Sequence, residues 1–80
     1  MLTELSAAPK VVGAKQVRRA LNDGRATRVY LAEDADPRVT QPFRALCEEK
    51  GVAVEEAPTM RELGEACGIA VGAAVAATVA

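Results

Sequence analysis

Residues 28–37 read RVYLAEDADP, and this stretch decides the fold class. Its first five residues are strand formers that barely alternate between apolar and polar. That predicts a central strand covered on both faces. Glu33-Asp34-Ala35-Asp36 follows as a polar turn. Asp36 then stands as a helix cap before Pro37, at the first helical position, where a missing N–H costs nothing. A two-faced strand that leads through a capped turn into a helix is the building unit of an α/β protein.

Downstream, Pro42 is awkward for an unbroken helix. The expectation is a short turn over residues 37–40, then a helix over residues 41–50 with Phe43, Leu46 and Cys47 facing inward and Gly51 stopping it. Residues 52–56 alternate Val52 and Val54 with Ala53 and Glu55, predicting a more exposed strand. Thr59-x-x-Glu62 is a capping box, opening a helix to about Ala66 with Met60, Leu63 and Ala66 as its apolar stripe. Cys67-Gly68 closes it. Residues 69–72 read as a loop or short turn and residues 73–79 as the final strand.

Upstream, residues 14–22 have helical periodicity. Ala14, Val17, Ala20 and Leu21 form one side; Lys15, Arg18, Arg19 and Asn22 form the other. Gly24 stands where a C-cap is expected. Gly13 permits a tight turn after a very short strand at Val11 and Val12. Residues 2–8 are compatible with a short helix, with Thr3 as a candidate cap. Helix and strand alternate through the chain, so the pattern predicts an α/β fold: an αβα sandwich of about four strands, one domain over residues 1–80.

Composition narrows the function. The chain of 80 residues is half hydrophobic, with one Tyr, one Phe, no Trp and no His. Its core must be aliphatic. The lack of His removes the commonest neutral-pH acid/base and the commonest metal ligand. No nucleophile has a His partner, so no enzymatic activity, metal or cofactor is expected. Turn and cap duty explains the cluster Glu33, Asp34 and Asp36 better than Mg²⁺ binding does. Cys47 and Cys67 form no CxxC unit, lie in apolar or helical context and read as free thiols. Nothing at the N-terminus resembles a secretory signal, and the expected location is the cytoplasm. Residues 69–80 carry no charge but fall short of the roughly 20 residues a membrane span needs.

The net charge of −1 is unevenly spread. Residues 10–28 hold six basic residues and one acid, net +5. Residues 48–65 hold six acids against Lys50 and Arg61, net −4. One basic and one acidic face are therefore expected.

The sharpest constellation is Gly13-Ala14-Lys15-Gln16-x-x-Arg19. A glycine turn opens a helix, whose free N–H groups and partial positive charge suit a phosphate or an electron-rich base edge. Gln16 can donate and accept at once, matching a base edge. Arg19, one turn beyond Lys15, can clamp phosphate, and Arg18 can do so from a neighbouring angle. The plainer alternative is a solvated helix face. The second candidate is GIAVGA, residues 68–73, where Ile69 and Val71 follow a helix end that would ordinarily be polar. Exposed apolar residues beside a basic surface suit extruded bases; the alternative is that they begin the last buried strand.

Three ordered stretches carry a resemblance: VVGAKQVRRALNDGRATRVYLAEDADP (residues 11–37), LCEEKGV (46–52) and MRELGEACGIAVGAAVAATV (60–79). Together they resemble the L7Ae/L30e/S12e ribosomal protein family, particularly its small bacterial L7Ae-like members. The resemblance implies a three-layer αβα sandwich around a four-stranded mixed sheet. It also implies binding of kink-turns, sharply bent RNA internal loops built on tandem sheared G·A pairs with one base flipped outward. On that pattern Gly13, Lys15 and Gln16 read the G·A pairs and Arg19 holds the backbone. Ile69, Ala70 and Val71, followed by Gly72 and Ala73, cover the extruded nucleotide. The implied partner is kink-turn RNA, in ribosomal RNA or a riboswitch, with the ribosome as a wider partner and a monomer as the free state. Two departures stand out. Lys15-Gln16 replaces the archaeal Asn-Glu, as in the small bacterial branch. Ala70 stands where the loop often has Glu, which removes one hydrogen-bond acceptor. The rival expectation is a protein-interaction module of the same fold, using the acidic segment 48–65.

Overall fold

The computed structural model describes residues 2–80, apart from the side chain of Thr3. The chain alternates α1 (Thr3–Ala7), β1 (Lys10–Val12), α2 (Ala14–Asn22), β2 (Ala26–Ala32), α3 (Pro37–Lys50), β3 (Ala53–Ala57), α4 (Met60–Ala66) and β4 (Val75–Val79). The strands form one mixed sheet in the order β1-β4-β2-β3. β2 pairs parallel with β3, and β4 runs antiparallel to both β1 and β2.

The sheet is the wall between two cores. On one side Val29 and Leu31 of β2 and Val75 and Ala77 of β4 meet Val17 and Leu21 of α2 and Phe43 and Cys47 of α3. On the other side Tyr30, Ala32 and Ala76 meet Leu5 of α1 and Leu63 of α4. Successive strand residues point to opposite faces. Residues 29–32 therefore serve both cores in turn, which is why RVYLA lacks a polar face. The architecture is a three-layer αβα sandwich with α1 and α4 on one face and α2 and α3 on the other.

Some expectations change. Helix α3 is unbroken from Pro37, with Pro42 inside it. Asp36 accepts from the Arg38 N–H at 2.9 Å and starts the helix five residues before Pro42 can interrupt it. The missing N–H frees only the Arg38 carbonyl, and Pro42 and Arg38 are both exposed, so water can reach that group. Ala14 is exposed rather than core-facing, because it occupies the first helical position at the end of the sheet. β3 begins at Ala53 and leaves Val54 36% exposed, since it is an edge strand. The suggested Thr3 cap lies outside the described side chains; Leu2 occupies the cap position of α1. Thr59 caps α4 by accepting from the Glu62 N–H at 3.1 Å, while Glu62 returns to the Thr59 hydroxyl at 3.3 Å.

Both cysteines are free, Cys47 buried and Cys67 half-buried. Burial pushes both thiols above their ordinary values; nearby Lys10 offsets part of this at Cys67. Among the described residues no helix is long and apolar enough to cross a membrane.

Candidate nucleic-acid interface

Gly13 adopts φ +95° at the entry to α2, a conformation that L side chains rarely adopt. Its own N–H donates to the Val75 carbonyl at 3.0 Å, and its carbonyl accepts from Val17 at 3.0 Å. The N–H groups of Ala14, Lys15 and Gln16 precede that first intrahelical bond. No side chain caps them, and the first turn has no acid. The start of α2 is thus an uncapped array of donors.

Lys15, Gln16, Arg18 and Arg19 are all exposed around this start. Arg18 carries its guanidinium over the Phe43 ring, 5.3 Å from the centroid, so it is partly engaged in packing α2 on α3. Lys15 and Arg19 have no ion-pair partner among the described residues. Their placement breaks two local rules. A cation near a helix N-terminus opposes the macrodipole, and like charges at i,i+4 repel. Each costs a few tenths of a kcal/mol. Folding does not require this arrangement; an anionic partner would relieve both costs.

Residues 68–74 form the other element. Ile69 is half-buried against the α1/α4 core, whereas Ala70, Val71 and Gly72 are exposed, Val71 at 70%. A loop and not a buried strand occupies these positions, and β4 begins only at Val75. The bond from Gly13 to Val75 ties the start of α2 to the end of this loop. Gly13, Lys15, Gln16 and the loop therefore share one end of the sheet. Arg19 lies one turn further along α2.

The same end also carries the acidic turn after β2, because β2 lies next to β4. Positive charge is concentrated on α2 rather than spread across the whole end. Two of the turn's three acids are already engaged. Asp34 Oδ1 accepts from the Met60 N–H at 2.8 Å. Asp36 accepts from the Arg38 side chain, at 2.7 Å from Nη2, and from its backbone N–H. These bonds hold its carboxyl below the ordinary value. Among the described residues no three His, Cys, Asp or Glu are grouped to hold a metal ion.

The exposure of Lys15, Gln16 and Arg19 was legible from helical spacing. The distribution of roles within the basic cluster was not, because the Arg18 contact with Phe43 depends on how α2 crosses α3.

Comparison with known proteins places the chain in a family. The chain is 47% identical over 70 residues to a protein named as RNA-binding from Caldanaerobacter subterraneus subsp. tengcongensis, covering 88% of this chain and 85% of that one. It is 39% identical over 69 residues to the large ribosomal subunit protein eL8 of Halobacterium salinarum, covering 85% of this chain and 58% of that protein. The solved structure of the Giardia lamblia 15.5kD RNA binding protein superposes with a TM-score of 0.86 at 29% identity, over 99% of this chain and 68% of that one. The family model described as "Ribosomal protein L7Ae/L30e/S12e/Gadd45 family" matches residues 4–80, and the chain belongs to that family.

Proposed function

We propose that this protein binds structured RNA without catalysis and stabilises the kink-turn conformation. The observation that carries the reading is the uncapped start of α2. It presents Lys15 and Gln16 and is fixed by the Gly13–Val75 bond to the loop that exposes Val71. The RNA-binding names of two of its relatives support the reading.

In this mechanism no bond is made or broken. The helix start enters the widened groove at the sheared G·A pairs. Lys15 and the free N–H groups meet acceptor atoms, and Gln16 matches a base edge with its paired donor and acceptor. Arg19 neutralises phosphate one turn away, with Arg18 beside it. Ile69, Ala70 and Val71, with Gly72 behind them, cover the unstacked base. Binding favours the kinked conformer because only that conformer meets both elements at once. Ribosomal RNA or a riboswitch kink-turn in a bacterial cytoplasm is the natural setting, with the protein monomeric when free and ribosome-associated when bound.

The test is a titration of labelled kink-turn RNA at two salt concentrations, against a control whose tandem G·A pairs are replaced by Watson–Crick pairs. Tight binding to the first alone is expected. Gln16→Ala should lose the discrimination, and Arg19→Ala should weaken binding and flatten its salt dependence. Equal, weak and strongly salt-sensitive binding to both RNAs would reduce the interaction to charge attraction. No binding would move weight to the acidic segment as a protein-docking surface. Against that second reading, Glu56 and Glu65 of the segment are internally paired, with Arg44 and Arg61.

A further inference from the structure

The height of the apolar loop is set from outside the loop. A Cβ on Gly64 of α4 would lie 2.1 Å from the Val71 carbonyl oxygen, so only glycine lets the loop settle there. A Cβ on Gly72 would lie 3.1 Å from Met60 Cβ, so the loop also rests closely on the first residue of α4. Two backbone bonds fasten the ends: Ile69 N–H donates to the Gly64 carbonyl at 3.1 Å, and Ala73 N–H donates to the Met60 carbonyl at 2.9 Å. Met60 is itself held from across the fold, where its N–H donates to Asp34 in the turn after β2. A connected path therefore runs from Asp34 through Met60 to Ala73.

We infer that Asp34 and Gly64 are positioning residues for RNA recognition, fixing the level at which Ile69, Ala70 and Val71 meet the extruded base. The inference rests on the RNA reading given above. Its physical reason is preorganisation. Val71 is mostly exposed and has little packing of its own to hold it. A loop that wandered would have to be ordered on binding, and affinity would fall by the fraction of time it spends misplaced.

The experiment compares the parent with Asp34→Ala, Asp34→Asn and Gly64→Ala on two kink-turn RNAs. One is intact and one carries an abasic residue at the extruded position. Asp34→Ala should weaken binding to intact RNA about tenfold. Asp34→Asn should restore it, because the Asn carbonyl oxygen accepts the same N–H. On the abasic RNA the penalty should vanish, since the loop has no base to cover. The salt slope should stay that of the parent, because the phosphate contacts on α2 are untouched. Gly64→Ala should act in the same direction; if it fails to fold, the Asp34 pair carries the test alone. Parent-like binding by Asp34→Ala, or an equal loss on both RNAs, would overturn the positioning role. A parent that binds the kink-turn no better than its Watson–Crick control would overturn the RNA reading and this inference with it. Amide exchange at Ala73 is a check independent of RNA: it should quicken in Asp34→Ala, and unchanged exchange would break the proposed path.

Discussion

At the scale of single residues, function and stability pull in opposite directions at Lys15. Its charge opposes the helix dipole and repels Arg19 one turn away. Lys15→Glu reverses both interactions and adds an acid to a first turn that has none. The variant should be more stable than the parent, by about 0.5 kcal/mol or somewhat more, while losing RNA binding. Thermal melts and the kink-turn titration read the two effects separately. Glu56 sets an acid limit. Hydrogen bonds from Arg44 hold its carboxyl below the ordinary value of 4.5, despite some burial that acts the other way. A carboxyl lowered by folding contributes stability above its unfolded value and loses it as the pH falls through the folded one. The parent's melting temperature should therefore drop on acidification below about pH 4.5, and Glu56→Gln should make that drop shallower. Both side chains of the pair are more than a third exposed, so solvent screens it and the difference should be modest.

At the scale of elements, Pro42 is the clearest conflict between local preference and the fold. Inside α3 it costs a backbone hydrogen bond, yet the helix continues. Pro42→Ala should restore the bond to the Arg38 carbonyl and raise stability, by about 1 kcal/mol after allowing for the looser unfolded chain; a denaturant midpoint measures it. This element also shows where sequence reading stops. Nearly every helix and strand was legible, because caps at Asp36 and Thr59, left-handed glycines at Gly24, Gly51 and Gly68, and the two-faced RVYLA run are local signals. The continuity of α3 was not legible. It depends on Phe43 and Cys47 being buried in one core on the same helix that Asp36 starts. Likewise, helical spacing announced the basic side of α2, but the Gly13–Val75 bond that brings it to the loop joins residues far apart in sequence.

At the scale of the whole molecule, net charge does little of the work. The protein is slightly acidic, with a pI near 5.4, so any attraction for RNA must come from the short basic face of α2. Salt dependence should be shallow for an RNA-binding protein. Three exposed cations on that face, Lys15, Arg18 and Arg19, correspond to a log–log slope of about −3 at most. A titration across salt concentrations measures it, and a much steeper slope would mean that other cations take part. The division of the interior has its own consequence. Residues 29–32 alternate between the two cores, and they are inseparable along the backbone. Neither half of the interior can melt while the other keeps its partners. The two cores should therefore unfold in one transition, and a protease that needs the interior exposed should have to wait for that global opening.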